Sequence, residues 1–181
     1  NSVDLDRVSD RLKEISARTV YMCFSTDMVH SGHISIIRKA ARLGKLIIGV
    51  LSDEAVASYK RFPLLPFSER KVIFENITGV YQVTEQKTLS YKGNLEKFHP
   101  DFVVHGDDWV KGFQKPVRDE VISVLASYGG RLVEFPYSDD EKYLSLESRA
   151  RADLALPDVR RARLKKMIAM KGTVNAIEAH S

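Results

Sequence analysis

Thr19-Val20-Tyr21-Met22-Cys23-Phe24-Ser25-Thr26-Asp27-Met28-Val29-His30-Ser31-Gly32-His33 changes character in mid-course, and that change decides the fold. Thr19 to Phe24 is a short apolar, β-prone run; a polar turn follows, and from Ile34 to Leu43 the apolar residues recur at helical spacing. A strand that turns into a helix is the repeating unit of a parallel sheet wrapped by helices. Working outward, apolar runs recur at Leu46 to Leu51, Val80 to Thr84, Phe102 to His105 and Leu132 to Phe135. Helical stretches separate them at Glu54 to Lys60, Glu69 to Thr78 and Val117 to Tyr128, with Ser68 placed to cap the one that begins at Glu69. The expected fold is α/β: a five-stranded parallel, Rossmann-like sheet with helices on both faces. Upstream, Leu5, Val8, Leu12 and Ile15 are spaced by three, four and three, which predicts an amphipathic helix over 3–16 that packs on the domain or on a partner.

Composition bounds the rest. A chain of 181 residues, 44% hydrophobic and 29% charged, fits one domain over 1–148 and an appendage over 149–181. The single cysteine, Cys23, excludes a disulfide framework and reads as core packing in a reducing compartment. No apolar stretch reaches the roughly 18 residues that span a bilayer, so a soluble, cytoplasmic protein away from membranes is expected. The net charge of +4 is uneven: residues 149–171 hold eight Lys or Arg against two Asp. That segment has no aromatic residue after Tyr143, which favours a solvated basic helix or an interface over nucleic-acid binding.

After the last strand, Ser138-Asp139-Asp140-Glu141 reads as a loop, and a basic helix runs from Pro157-Asp158 to about Lys171, with Gly172 as its stop. Val174 to Ile177 begins like a strand with nothing following to pair with it, the pattern of a chain cut from a longer one.

The chemistry falls where the first strand meets the first helix. Ligands of doubly wound sheets bind beyond the strands' carboxyl ends, where a helix N-terminus offers N–H groups and partial positive charge to phosphate. His30 and His33 lie three apart at such a helix start, and Gly32 between them leaves room for close approach. Each imidazole can donate to a phosphate oxygen as charge builds in a transition state. A zinc site needs further ligands, and His99 before a proline, His180 at the chain end and His105 beside Asp107-Asp108 are poor candidates.

Ser25-Thr26-Asp27-Met28-Val29-His30-Ser31-Gly32-His33 resembles the G-T-F-D-x-x-H-x-G-H signature of the cytidylyltransferases, which include enzymes acting on glycerol 3-phosphate and choline phosphate. Lys60, the loop Pro63 to Pro66 and Ser68-Glu69-Arg70 resemble that family's lysine, flexible loop and E-x-R helix start; His105-Gly106-Asp107-Asp108-Trp109 is similar to its nucleotide-binding G-D-D-W. Ala57-Ser58-Tyr59-Lys60-Arg61, the Ser-Thr-Asp form of the first motif and the basic tail look like the cytidylyltransferase domains fused to phosphoenolpyruvate mutase in phosphonate biosynthesis. Ile177-Glu178-Ala179-His180-Ser181 is similar to the opening of such a mutase domain.

The resemblance implies transfer of CMP from CTP to a small hydroxyalkyl or aminoalkyl phosphonate, with pyrophosphate released. It makes His30, His33 and Lys60 the catalytic group. Phe24, Ser25, Asp27, Gly32, Gly106, Asp107, Trp109 and Ser145 would bind nucleotide, with Trp109 at a pocket rim. Arg70, Asp53, Tyr91 and Lys92 would contact substrate or phosphate. Magnesium is expected on the triphosphate rather than on protein ligands, and a homodimer is expected, with a fused mutase domain as a further partner. Two departures stand out. Phe24 occupies the place of a signature glycine, and residues 138–148 lack the family's R-T-x-G-I-S-T-T sequence, leaving Ser145 and Ser148 as substitutes for its hydroxyls. The other readings are an alcohol-phosphate acceptor or ATP as donor, and a non-catalytic nucleotide-binding domain of a bifunctional protein.

Overall fold

The structure, a computed structural model, describes residues 5–59, 62–110, 114–136 and 164–169. The chain divides into two units, Asn1–Asp139 and Asp140–Ser181. In the second, the described residues form a helix at 164–169 on which Leu164 and Ile168 are exposed. This is part of the predicted basic helix; the remainder of it lies outside the described residues. Among the described residues no helix is long and apolar enough to cross a membrane.

The first unit is a five-stranded, all-parallel sheet in the order β3-β2-β1-β4-β5, with β1 at Thr19–Phe24, β2 at Lys45–Leu51, β3 at Val80–Gln86, β4 at Phe102–Gly106 and β5 at Arg131–Phe135. The helices are α1 (Leu5–Ala17), α2 (Ser31–Ala41), α3 (Asp53–Tyr59), α4 (Phe67–Glu75), α5 (Lys92–Phe98) and α6 (Lys115–Tyr128). Successive side chains of a strand point to opposite faces, and this divides the core in two. Val20, Met22, Leu46, Ile48 and Val50 join Ile37 of α2 and Phe74 of α4 on one face. Tyr21, Ile47 and Val103 join Leu95 of α5 and Val121 and Leu125 of α6 on the other. The α/β reading and all five strands therefore stand.

Three local features differ from the sequence reading. The helix expected from Glu69 starts at Phe67 behind Pro66, so Ser68 lies inside it and no side chain caps it. Proline suits that place because its fixed φ enters a helix without needing an N–H. The short helix α5 was not foreseen, since seven residues containing Gly93 show too little periodicity to register. A 3-10 turn, Asp107–Trp109, follows β4 directly.

Helix α1 lies where expected, but Val8, Leu12 and Ile15 are all exposed. Beneath the sheet ends, the Tyr21 hydroxyl donates to Gln86 Oε1 at 2.7 Å and accepts from Asn94 Nδ2 at 2.8 Å. Gly49 makes this possible, because a Cβ there would sit 1.9 Å from the Tyr21 hydroxyl.

Candidate active site

Strand order reverses between β1 and β4: β2 and β3 lie on one side of β1, β4 and β5 on the other. The carboxyl ends of β1 and β4 therefore border a crevice, the place where such sheets bind ligands. His30 caps α2 at its mouth. Its Nδ1 accepts from the Gly32 backbone N–H at 3.2 Å, while His33 Nδ1 accepts from the His30 N–H at 3.4 Å, a reciprocal capping box built from two histidines. A nitrogen that accepts carries no proton, so in both neutral rings the proton sits on Nε2. The ring centroids lie 4.0 Å apart. Two N–H donors are thus set side by side on the first turn of a helix whose dipole already favours an anion.

Gly32 earns its place differently from the sequence argument. A Cβ there would meet His30 itself, 2.9 Å from Cε1, so the glycine lets the ring fold over the helix start. Phe24, the departure from the signature, stacks on Phe74 at 4.9 Å and meets His33 edge-on at 5.6 Å. The bulky ring braces the histidine from below.

Two pockets meet at this crevice. The polar one is bordered by Ser25, Thr26, His33, Gly106 and Gln114. The other is mostly apolar, lies toward β2, and is bordered by Leu51, Tyr59, Leu89, Tyr91, Trp109 and Val117. Cys23, Ser25, His105 and Gln114 line both. Cys23, read as core packing, thus sits at the junction; burial above all pushes its thiol up to about 12, so it is a protonated, non-nucleophilic wall. Tyr91 hydrogen-bonds that thiol, and burial holds its own hydroxyl well above the usual range. Tyr59 is raised by burial too, against an opposing hydrogen bond from Ser25.

Asp27, Asp53 and Arg70 form a cluster behind the histidine corner. Arg70 is 1% exposed; Nη2 donates to Asp53 Oδ1 at 2.8 Å, Nε donates to the Leu65 carbonyl at 3.1 Å, and Asp27 Oδ1 lies 4.0 Å from Nε. Asp27 also accepts from the Leu65 N–H at 3.2 Å. These three residues tie the β1–α2 turn to α3, α4 and the loop after position 61. Arg70 and Asp53 border neither pocket among the described residues, and the buried Nη1 has no hydrogen-bond partner there.

Trp109, expected at a pocket rim, borders the apolar pocket and is only 1% exposed. One face stacks on His105 at 3.7 Å and 6°, and Nε1 donates to Glu134 Oε1 at 2.7 Å. Glu134 is gripped at 2.8 Å by both Nε and Nη2 of Arg118, which holds its carboxyl below the usual range; the Trp109 bond adds to this. Gly106 is buried and Asp107 exposed at the start of the 3-10 turn. Lys92 is exposed, lies 3.8 Å from Glu96, and reaches neither pocket. Lys60 and Ser145 lie outside the described residues, as does the segment 138–148. His105 was missed as a site residue; its position at the end of a strand beside Gly106 was the available signal.

Residues 23–147 match the cytidylyltransferase-like family. The chain belongs to that family. It is 33% identical over 95 residues to ethanolamine-phosphate cytidylyltransferase of Arabidopsis thaliana, a match covering 49% of this chain and 23% of that protein. Glycerol-3-phosphate cytidylyltransferase of Staphylococcus aureus is 33% identical over 85 residues, 46% of this chain and 64% of the relative. The chain therefore spans less than two thirds of the curated relatives it matches. Among solved structures, a lipopolysaccharide core biosynthesis protein from Thermoplasma volcanium shares the fold, with a TM-score of 0.58, 18% identity, and coverage of 67% of this chain and 98% of that one.

Proposed function

We propose that this domain is a nucleotidyltransferase that moves CMP from CTP onto an oxygen of a small phosphonate. The observation that carries the reading is the pair of imidazoles on the first turn of α2, each with Nδ1 tied to backbone and its proton on Nε2. Family membership over residues 23–147 supports the same chemistry.

In the reaction, an anionic oxygen of the acceptor attacks the α-phosphorus. A new P–O bond forms, the bond to the bridging oxygen of the β-phosphate breaks, and pyrophosphate leaves with the electron pair. The nucleophile is already ionised at neutral pH, so alignment and relief of charge repulsion matter more than a general base. His30 and His33 would donate hydrogen bonds to the α-phosphate as negative charge grows, with the α2 N-terminus adding its dipole. The polar pocket suits the nucleotide and the apolar pocket the acceptor, since they adjoin at Ser25.

The residues around the crevice offer hydroxyls and backbone N–H groups, while Asp27 is taken up by Leu65 and stands beside Arg70. Such a set suits magnesium that arrives on the triphosphate, where it neutralises charge on the leaving pyrophosphate. Lys60 would add positive charge there. The phosphonate acceptor rests on the resemblance of Ser25 to Asp27, Ala57 to Arg61 and the tail to mutase-fused domains; so does a fused mutase partner. A reducing, cytoplasmic setting suits the lone thiol. The exposed stripe Val8, Leu12 and Ile15 supports a homodimer, and light scattering across a dilution series with Leu12→Glu as control tests it.

The names of the matched relatives favour a second reading, in which the acceptor is an alcohol phosphate. Pyrophosphate release measured with CTP or ATP against phosphonates, glycerol phosphate and ethanolamine phosphate separates the two. Turnover with the phosphate esters alone would replace the first reading by the second. Nucleotide binding without turnover on any acceptor would defeat both and leave a nucleotide-binding domain.

A further inference from the structure

Cys23, Ser25, His105 and Gln114 line both pockets. A phosphoryl group that passes from a nucleotide in one to an acceptor in the other must lie where the two meet, within reach of these four. Three of them are engaged with the protein: Cys23 with Tyr91, Ser25 with Tyr59, and His105 through Nδ1, 2.8 Å from the Gly106 carbonyl oxygen. Gln114 differs. It leads into α6 without capping it, and its half-buried side chain makes no hydrogen bond to any described residue.

The other amide lining the apolar pocket, Gln86, supplies the contrast. Its Oε1 accepts from the Tyr21 hydroxyl, and its Nε2 donates to the Thr88 carbonyl at 3.0 Å and the Leu89 carbonyl at 3.5 Å. The fold takes up both donors of Gln86, whereas the two N–H groups of Gln114 remain for a ligand.

Helices α2 and α6 lie on opposite faces of the sheet, α2 with Val20 and Met22, α6 with Tyr21 and Val103. His33 therefore reaches the crevice from one face and Gln114 from the other. Tyr91, Trp109 and Val117, which border the apolar pocket, pack on the α6 face, so Gln114 stands on the acceptor's side. An acceptor's anionic head must be held close to the nucleotide's phosphates. A lysine or arginine there would pair with the attacking oxygen and weaken it as a nucleophile. An amide is neutral; it bonds well to charged oxygens, fixes their direction and leaves the nucleophile its charge.

We propose that Gln114 is a further catalytic residue, its side-chain amide donating hydrogen bonds to the acceptor's phosphoryl oxygens and holding them for attack on the α-phosphorus. The inference rests on the reading of the two pockets as nucleotide and acceptor sites, and it holds for a phosphonate or an alcohol phosphate alike, since both carry the same anionic head.

The test compares wild type, Gln114→Met and Gln114→Glu, with whichever of hydroxyethylphosphonate and glycerol phosphate the wild type turns over. Met keeps the length and removes the donors; Glu keeps the shape and adds a negative charge. Gln114→Met lowers kcat/KM for the acceptor about tenfold to a hundredfold, the cost of a hydrogen bond to a charged group, and Gln114→Glu lowers it further by repulsion. The thermal midpoint stays near that of wild type. Gln114 also borders the nucleotide pocket, so affinity for CTP alone, measured by calorimetry, falls too, by a smaller factor. An acceptor kcat/KM within about twofold of wild type in Gln114→Met overturns the proposal, as does a Glu variant no worse than Met, or a loss of CTP affinity as large as the loss with the acceptor. Nuclear magnetic resonance gives a readout in the wild type that needs no turnover. The Gln114 side-chain amide signal, assigned by its absence from both variants, shifts saturably as hydroxyethylphosphonate or glycerol phosphate is added. A saturable shift in a protein that turns nothing over keeps the inference and removes the transferase. Turnover with an unmoved signal removes the inference and keeps the transferase, and neither shift nor turnover removes both.

Discussion

The two pockets share four residues and differ in how they are made. The polar one follows the turn from β1 into α2, from Phe24 through Ser25 and Thr26 to His33, whose Nδ1 accepts from the His30 N–H, with the end of β4 opposite. The apolar one is built from side chains of β1, β2, β4, α3 and α6 that meet only when the sheet closes. Local geometry fixes the first and tertiary packing fixes the second. Substitutions should therefore act on them differently.

The largest effect should come from the ion cluster that holds the histidine corner to the rest of the domain. Arg70→Met removes the buried guanidinium that bonds Asp53 and stands beside Asp27, which should cost about 3–5 kcal/mol of stability, read by denaturant unfolding. A midpoint equal to wild type would mean that the corner is braced from elsewhere. Next in size, His33→Ala should lower kcat by at least about a hundredfold with little change in stability, as the loss of one donor aimed at a transition-state oxyanion does. Near-normal turnover would strip the α2 turn of its proposed chemistry.

Gly32→Ala should be milder. The new Cβ would displace the His30 ring from a position 2.9 Å away, and a misplaced donor should cost roughly tenfold in kcat. The acceptor KM should not move, and if it did the two pockets would not be separable as described. The smallest effect concerns Glu134. Its folded value lies below the usual carboxylate range, so its contribution is complete above that range and fades as pH falls through the folded value. Glu134→Gln should cost on the order of 1 kcal/mol at neutral pH. In acid the stability difference from wild type should shrink, and a pH-independent difference would show that the Arg118 ion pair contributes nothing.

Much of the fold was legible because it is periodic. Alternating or continuous apolar runs marked every strand to within two residues, and β1 was read at its observed bounds, Thr19–Phe24. Helix α5 was illegible because seven residues around a glycine carry no repeat. The error at Ser68 came from a rule that ranks side-chain caps, where Pro66 supplied a helix entry with no side-chain cap at all. At the site, His30, Gly32 and His33 could be read because neighbours in sequence form one helix turn. Trp109 was read at a pocket, which it borders, but its near-complete burial was not legible because its partner Glu134 lies 25 residues away on β5. His105 was visible at a strand end, but the 2.8 Å contact of its Nδ1 with the Gly106 carbonyl comes from the way the chain turns there.

By itself the sequence determined the parallel α/β fold, the order of its elements and the histidine turn on which an anion would sit. These depend on spacings within about a dozen residues, where backbone geometry leaves few choices. Only the tertiary structure decided that Arg70 turns inward to two aspartates, that Phe24 braces His33, and that His105 faces a second, apolar pocket. Each of those depends on which distant side chain fills the neighbouring space, and close packing settles that only when the whole sheet is assembled.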